Sequence, residues 1–238
     1  MANPFFEPGE RRAARVGDLF GAIAPRYDLV NDLQSFGLHR WWKRRLLALA
    51  QVQPGARAID LCCGTGDVAQ LLARRGAVVV GLDFSAPMLE IARRRAKSHP
   101  RARLWWIRGD ALRIPLPDNC VEVVTISYGL RNLSDVCAGL KEIWRVVKPG
   151  GRLLVLDFGK PSNPIWRAIY FTYLGCCVPL LGRLFCGNAA AYAYILESLH
   201  HYPAQEGVAA QMRELPTANV RVLNLLGGIM SINYAEKI

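Results

Sequence analysis

Asp60-Leu61-Cys62-Cys63-Gly64-Thr65-Gly66-Asp67 decides how this chain is read. The segment ends the short apolar run Ala58 to Leu61 and leads into a helical pattern over Val68 to Arg75. An acid therefore stands at a strand end, and two glycines stand where the chain turns into a helix. Glycine lets a backbone come close to a ligand, and a helix N-terminus offers free N–H groups. By spacing alone, Gly64-x-Gly66-x-x-Ala69 also satisfies the dinucleotide fingerprint, with Asp83 nineteen residues past Gly64 where a ribose-binding acid belongs. A nicotinamide oxidoreductase is thus a competing reading. Against it, Asp60 lies four residues before the first glycine, a place that suits the amino group of a methionyl moiety better than a pyrophosphate.

Outward from this turn, apolar runs alternate with helical patterns, as a parallel sheet with crossover helices requires. Strands are predicted at Ala58 to Leu61, Val78 to Leu82, Leu104 to Ile107, Val121 to Ser127 and Arg152 to Asp157. Helices are predicted at Pro87 to Lys97 and at Asp135 to Val147, the second stopped by Pro149-Gly150-Gly151. Val220 to Leu226 and Ile229 to Ala235 flank Gly227-Gly228 as a closing antiparallel pair. Val16 to Ile23 and Trp41 to Ala50 read as helices outside this core, and Met1 to Arg15 as a mobile arm without a secretory signal.

Two more acids end strands: Asp83 after Val79-Val80-Gly81-Leu82, and Asp110 in Arg108-Gly109-Asp110-Ala111. Ligands of open α/β sheets bind outside the carboxyl ends of the strands, so the three acids should share one crevice. This puts Asp60 near an amino group, Asp83 on ribose hydroxyls and Asp110 on an adenine amine. Over residues 52–157 the chain resembles the class I S-adenosylmethionine-dependent methyltransferases. That resemblance implies a Rossmann-like α/β fold, with a mostly parallel seven-stranded sheet, helices on both faces and an antiparallel C-terminal strand. It also implies S-adenosylmethionine as methyl donor, no metal, and cofactor contacts from Asp60, Gly64, Thr65, Gly66, Asp83, Asp110, Ala111 and Ser127. Thr65 and Ser127 could equally cap the helices that follow them.

A closer likeness lies outside that core. Tyr27-Asp28-Leu29-Val30-Asn31, Ser35-Phe36-Gly37-Leu38-His39-Arg40-Trp41-Trp42, Thr125-Ile126-Ser127-Tyr128-Gly129-Leu130-Arg131-Asn132, Arg145 to Leu153 with Asp157-Phe158, and Glu197-Ser198 together resemble the ubiquinone/menaquinone biosynthesis C-methyltransferases. Val30, Gln34 and Gly159 depart from the family's usual residues. Cys62-Cys63 and Gly227-Gly228-Ile229-Met230 look most like its photosynthetic branch, which methylates 2-phytyl-1,4-naphthoquinol to phylloquinol. Demethylmenaquinol and the benzoquinol of ubiquinone synthesis are the alternatives. The likeness implies one structural domain in three parts: lid helices at 1–50, a cofactor core at 51–160, and an apolar substrate-tail segment with the last strands at 161–238.

Methylating a quinol carbon requires a neighbouring ring hydroxyl to ionise. A phenol of pKa near 10 costs about 4 kcal/mol to ionise at pH 7 unless the site helps. Arg131 is the candidate cation beside that oxygen, with Asn132 donating to the same oxygen or holding a water. Tyr27, Asp28, Asn31 and His39 form a polar-aromatic segment that could close over the crevice, and His39 could be a general base or a structural residue. Asp157 reads as a sheet-end acid or a helix cap. Trp166, Ile169, Tyr170, Phe171, Leu174, Val178, Leu180, Leu181, Leu184 and Phe185, with Tyr192, Tyr194 and Leu196, suit a long apolar tail, an interfacial helix, a core helix or a dimer face.

The chain has 238 residues, 52% of them hydrophobic and 21% charged, which excludes a disordered protein. Its net charge of +11 calls for an anionic partner. A nucleic-acid methyltransferase would suit the charge, but Ser-Tyr-Gly-Leu stands after the fourth strand where amino-group methylation needs an Asn/Asp-Pro-Pro-aromatic motif, and no Pro-Cys pair for cytosine is present. The expectation is a lipid quinol substrate and no nucleic acid. Arg11, Arg12, Arg15, Arg40, Lys43, Arg44 and Arg45 would dock reversibly on an anionic membrane surface, placing the protein in the cytoplasm at a thylakoid or plasma membrane. Ala168 to Gly182 gives fifteen uncharged residues, short of a bilayer span. Seven cysteines, an odd number without C-x-x-C, read as reduced thiols rather than a disulfide or zinc framework.

Overall fold

A computed structural model describes residues 10–187 and 189–238, without the side chains of residues 10–14 and 186. Three helices come first: α1 (Glu10–Ile23), α2 (Tyr27–Gln34) and α3 (Leu38–Ala50). The alternating core follows as β1 (Arg57–Leu61), α4 (Asp67–Arg74), β2 (Val78–Asp83), α5 (Ala86–Ala96), β3 (Leu104–Arg108), β4 (Val121–Ser127), α6 (Val136–Val146) and β5 (Val147–Phe158). Four helices, α7 (Pro164–Thr172), α8 (Val178–Cys186), α9 (Ala189–His201) and α10 (Ala204–Arg213), precede β6 (Thr217–Leu225) and β7 (Met230–Lys237).

The seven strands form one sheet in the order β3-β2-β1-β4-β5-β7-β6, and β7 runs antiparallel to both its neighbours. The chain winds outward from β1 to β3 and then, from β4, in the other direction, so the switch point lies between β1 and β4. There Asp60 is in register with Thr125 and Leu61 with Ile126. The Gly64 turn and the segment after Ser127 consequently leave the sheet side by side, opening the crevice that this topology provides.

Both faces of the sheet are buried, which is why the strands carry continuous apolar runs. Ile59, Val124, Ile126, Leu153 and Val155 belong to the apolar cluster that includes Leu140 and Ile143 of α6 and Leu199 of α9. Ala58, Val123, Leu154, Leu156 and Ile232 belong to the other, with Leu46 of α3 and Leu72 of α4. Asp135 caps α6 by accepting from the Ala138 amide at 2.9 Å, a bond worth about 1 kcal/mol.

Several sequence boundaries move. The fifth strand begins at Val147, before Pro149-Gly150-Gly151, because a register shift opposite Val121 and Val123 lets these residues form a bulge within the strand. The arm expected to be mobile through Arg15 is helical from Glu10 onward, while residues 1–9 and the side chains of Arg11 and Arg12 lie outside the described residues. The helix expected from Trp41 starts at Leu38, which places His39 in its first turn. The apolar block is longer than its uncharged stretch: α7, a π turn at Tyr173–Cys177 and α8 form a continuous helical run, of which Pro164–Phe185, 22 residues, is long and apolar enough to cross a membrane. Only 22% of its most apolar window is buried.

Candidate active site

Two cavities meet at the switch point. The smaller, about 100 Å³, is lined by Cys62, Gly64, Asp83, Asp110, Ala111, Ser127 and Asn132, and α1 covers it with Val16, Gly17 and Phe20. The larger, about 290 Å³ and mostly apolar, is lined by Asn31, Gln34, His39, Trp42 and Arg131, by Trp166, Ile169, Tyr170, Tyr173, Leu174 and Val178 of the 22-residue run, and by Tyr192 and Ile195 of α9. Phe20, Tyr27 and Tyr128 line both and form the partition.

In the smaller cavity, Asp83 accepts from the Gly64 amide at 2.7 Å through Oδ2 and from the Ser85 amide at 2.8 Å through Oδ1. Burial pushes its carboxyl above the ordinary value, and these amide bonds oppose the shift. Gly64 has φ +53, and nothing lies within 4 Å of a Cβ built on it, so the turn leaves open space beside its backbone. Asp110 Oδ1 accepts from the Leu112 amide at 2.9 Å. Among the described residues, Ser127 Oγ and Asn132 Oδ1 are buried without hydrogen-bond partners. Paired acids at the ends of β2 and β3, an open glycine turn and two orphaned polar atoms fit a ligand with a ribose, an adenine and a polar tail. At about 100 Å³ the space is below the roughly 300 Å³ at which ligand clefts begin, and α1 closes part of its wall.

Three expected cofactor contacts lie elsewhere. Asp60 is 1% exposed, and both its oxygens are used, by the Thr125 hydroxyl at 2.7 Å and the Ala69 amide at 3.0 Å. These two bonds tie β1 to β4 and α4, and burial drives the carboxyl's pKa up to about 7. Thr65 turns away and donates to Asp28 at 2.8 Å. Gly66, with φ +83, lies against Trp106, whose ring a Cβ would overlap; here the missing side chain serves packing rather than ligand approach.

Asp28 links α2 to the glycine turn. Besides Thr65, its carboxylate accepts from Arg95 at 2.7 Å, and Arg95 also reaches Asp67 at 2.5 Å. Lys43 completes the cluster by donating to Asp67 at 2.7 Å; it is buried, which removes it from the expected membrane-docking surface. Burial would raise the Asp67 carboxyl, but Lys43 and Arg95 hold it down to about 2.

In the larger cavity Arg131 is 4% exposed and lies 2.6 Å from Asp157, with its guanidinium 4.7 Å from the Phe158 ring centre. Asp157, near the end of β5, also accepts from the Phe158 amide at 2.9 Å and from the Arg131 amide at 3.3 Å, so it is Arg131's counterion and also holds the short turn that carries it. Asn132 donates to the Tyr128 carbonyl at 3.2 Å and lines the smaller cavity, whereas Arg131 lines the larger. His39 is buried, and its Nε2 stands 2.7 Å from Asp32, which fixes the ring proton there. Its Nδ1 has no partner among the described residues. Burial and Lys43 lower its pKa, with Asp32 opposing. Tyr27 is pushed up to about 12 by burial and stays protonated. Among the described residues no cluster of His, Cys, Asp or Glu suits a metal ion.

Tyr128 stood in a family motif and Phe20 in a helix, but the sequence assigned neither to the site. Tyr128 could have been found as the aromatic residue directly after the strand at the switch point.

The ubiE/COQ5 methyltransferase family matches residues 9–237. The chain belongs to this family. It is 39% identical over 235 residues, 97% of this chain and 91% of the relative, to a ubiquinone/menaquinone biosynthesis C-methyltransferase UbiE of Ectopseudomonas mendocina. It is 38% identical over 226 residues, 93% of this chain and 95% of the relative, to a demethylmenaquinone methyltransferase of Lactiplantibacillus plantarum. Among solved structures, a SAM-dependent methyltransferase from Thermotoga maritima aligns with TM-score 0.65 at 19% identity, covering 94% of this chain and all of that one. The [4+2]-cyclase SpnF aligns at 0.63 and 17% identity, covering 94% and 96%. These share the fold; a cyclase among them shows that the fold alone does not set the chemistry. As a ubiE/COQ5 family member, the chain is an S-adenosylmethionine-dependent C-methyltransferase, and the smaller cavity is the place its sheet topology assigns to the cofactor.

Proposed function

We propose that the chain methylates a ring carbon of a reduced naphthoquinone bearing a long apolar tail. One observation carries this reading: a 290 Å³ apolar cavity adjoins the cofactor cavity across a three-residue aromatic partition, and Arg131 is the one guanidinium or ammonium among its described lining residues. A small polar acceptor would not need Trp166, Ile169, Leu174 and Val178, whereas each buried methylene of a tail is worth about 0.8 kcal/mol.

Bound S-adenosylmethionine supplies an electrophilic methyl group. The chain's own residues do the rest. Asp83 would hold the ribose hydroxyls with its remaining lone pairs, Asp110 and Ala111 would hold the adenine, and Ser127 and Asn132 would supply polar contacts to the rest of the cofactor. Arg131 donates to the ring oxygen that must ionise; because Asp157 tempers its charge, it acts as a positioned donor more than as an isolated cation. His39 accepts the hydroxyl proton at Nδ1, with Asp32 supporting the imidazolium so formed. Phe20, Tyr27 and Tyr128 exclude water from the junction.

Within this class, demethylmenaquinol is the acceptor that the relatives' names favour. The narrower reading, 2-phytyl-1,4-naphthoquinol, draws on Ile229 and Met230, residues of the photosynthetic-branch motif that line the cavity. The acceptor is lipid-soluble, so the exposed face of the 22-residue run is read as lying in the surface of an anionic membrane. Incubation with methyl-labelled S-adenosylmethionine and each of three reduced acceptors, demethylmenaquinol, 2-phytyl-1,4-naphthoquinol and the benzoquinol precursor, tests the proposal. Labelled naphthoquinols are expected; label on the benzoquinol alone, or on none, overturns it.

A further inference from the structure

Tyr128 sits at the partition with a backbone that a tyrosine rarely adopts. Its φ is +60, in the left-handed region that disfavours bulky L-residues. Three hydrogen bonds hold it there: its amide donates to the Leu156 carbonyl at 2.7 Å, and its carbonyl accepts from Arg131 at 2.5 Å and from Asn132 at 3.2 Å. The surroundings thus over-determine a strained geometry whose effect is to turn the ring into the wall between the cavities. The ring packs against Phe158 at 5.8 Å between centres, with the Lys43 ammonium 5.9 Å from its own centre.

Packing explains the ring but not the hydroxyl. That oxygen is buried and has no hydrogen-bond partner among the described residues. A phenylalanine would fill the same wall without the cost of an unpaired polar group. Phe158, against which the Tyr128 ring packs, and Arg131, whose guanidinium lies over that same Phe158 ring, line the apolar cavity and not the smaller one. The hydroxyl therefore belongs to the acceptor's side of the junction. Burial raises its pKa well above the ordinary value, so it remains a proton donor across the working range.

We infer that Tyr128 is an acceptor-positioning residue: its hydroxyl donates a hydrogen bond to a ring oxygen of the bound quinol, and with Arg131 it fixes which ring carbon faces the cofactor cavity. No bond is made or broken at Tyr128; it holds the acceptor between two donors. The inference rests on the naphthoquinol reading above, and it adds a contact specific to the acceptor's oxygen.

The test compares two tailed ligands, a 1-naphthol and the matching naphthalene without oxygen, titrated into wild type and Tyr128→Phe with S-adenosylhomocysteine present. Tyr128→Phe should weaken the naphthol at least fivefold and the naphthalene less than twofold. It should also lower kcat/KM for the naphthoquinol about tenfold at unchanged cofactor affinity. Equal losses for both ligands would reduce Tyr128 to ring packing and overturn the inference, as would no loss for either. If Tyr128→Phe misfolds, ring-fluorinated tyrosine at 128 replaces it: a more acidic phenol should tighten the naphthol selectively, and unchanged selectivity overturns the inference. Wild-type turnover separates the two levels. A wild type that methylates no naphthoquinol sinks the acceptor reading, whereas turnover with an indifferent Tyr128→Phe sinks this one.

Discussion

The Arg131 guanidinium and the Asp157 carboxylate lie 2.6 Å apart with both side chains almost wholly buried. Each ion depends on the other, because an unpaired charge in this position has neither water nor a counterion. Asp157→Asn should therefore cost about 3 to 5 kcal/mol in urea unfolding. A loss below about 1 kcal/mol would show that the pair is not structurally needed. The double variant Arg131→Met with Asp157→Leu should recover most of the stability while leaving methyl transfer defective, which separates the pair's structural part from its chemistry.

Asp60 gives an opposite kind of prediction. Its carboxyl titrates near 7 in the fold against an ordinary value of 3.8, so the folded state favours the protonated form. The associated stability is fully present below about pH 4 and is lost as pH rises through 7, up to ~4 kcal/mol. Asp60→Asn keeps the shape, since the Thr125 hydroxyl can turn to accept from the amide. The variant's melting temperature should fall less between pH 5 and pH 8 than the wild type's. Its S-adenosylmethionine affinity should stay within about twofold; a tenfold loss would restore Asp60 to the ligand's amino group.

The fold was legible because its cues are local. Val121 to Ser127 is a strand with the expected ends because seven consecutive residues suit a strand buried on both faces. The three acids were correctly placed at strand ends, but which way each carboxylate turns is a tertiary fact. Asp83 and Asp110 reach the cavity, whereas Asp60 is captured by Thr125, 65 residues away in sequence. Arg131 and Asn132 are adjacent, yet they face different cavities because the short turn at Leu130–Asn132 rotates successive side chains apart. Asp157 was ambiguous until its partner could be seen. Periodicity likewise had no means of joining α7 to α8, since a π turn breaks the 3.6-residue repeat at Tyr173–Cys177.

Asp83 and Thr65 should now behave differently, although both stood among the expected cofactor contacts. Asp83→Ala removes the carboxylate that holds the Gly64 amide and faces the cavity, so S-adenosylmethionine affinity measured by calorimetry should drop at least tenfold. Thr65→Val only loosens the α2 contact at Asp28, and affinity should fall by no more than about threefold. Equal effects would mean that the turn, rather than the carboxylate, carries the affinity.

His39 predicts a pH dependence. With its pKa held below the ordinary 6.5 by burial, the imidazole is neutral and able to accept a proton at pH 7, and it becomes incompetent as pH falls through that lowered value. The kcat profile should therefore show an acid limb below pH 6.5. In His39→Gln turnover should drop about a hundredfold, within the range general-base catalysis supplies, and the limb should disappear. Persistence of the same limb in the variant would assign the proton to another group.

The helical run Pro164–Phe185 offers two faces whose roles can be separated. Tyr170, Leu174 and Val178 are buried against the larger cavity, while Ile165 and Leu184 are 72% and 66% exposed and Leu180 more than half exposed. If the outer face lies in a membrane surface, its side chains bind lipid and its inner face binds the tail. Leu180→Glu with Leu184→Glu should then abolish flotation with anionic liposomes while leaving kcat on a short-tailed, water-soluble acceptor unchanged. High salt should weaken wild-type flotation, because exposed Arg44 and Arg45 would each contribute about 1 kcal/mol to an anionic leaflet. Leu174→Ala should do the reverse: normal flotation, unchanged turnover of the short-tailed acceptor, and a KM for the long-tailed one raised several-fold, since the cavity loses packing only where a tail would lie. A variant pair in which both substitutions impair both measurements would mean that the run is simply a core helix whose integrity the whole fold requires.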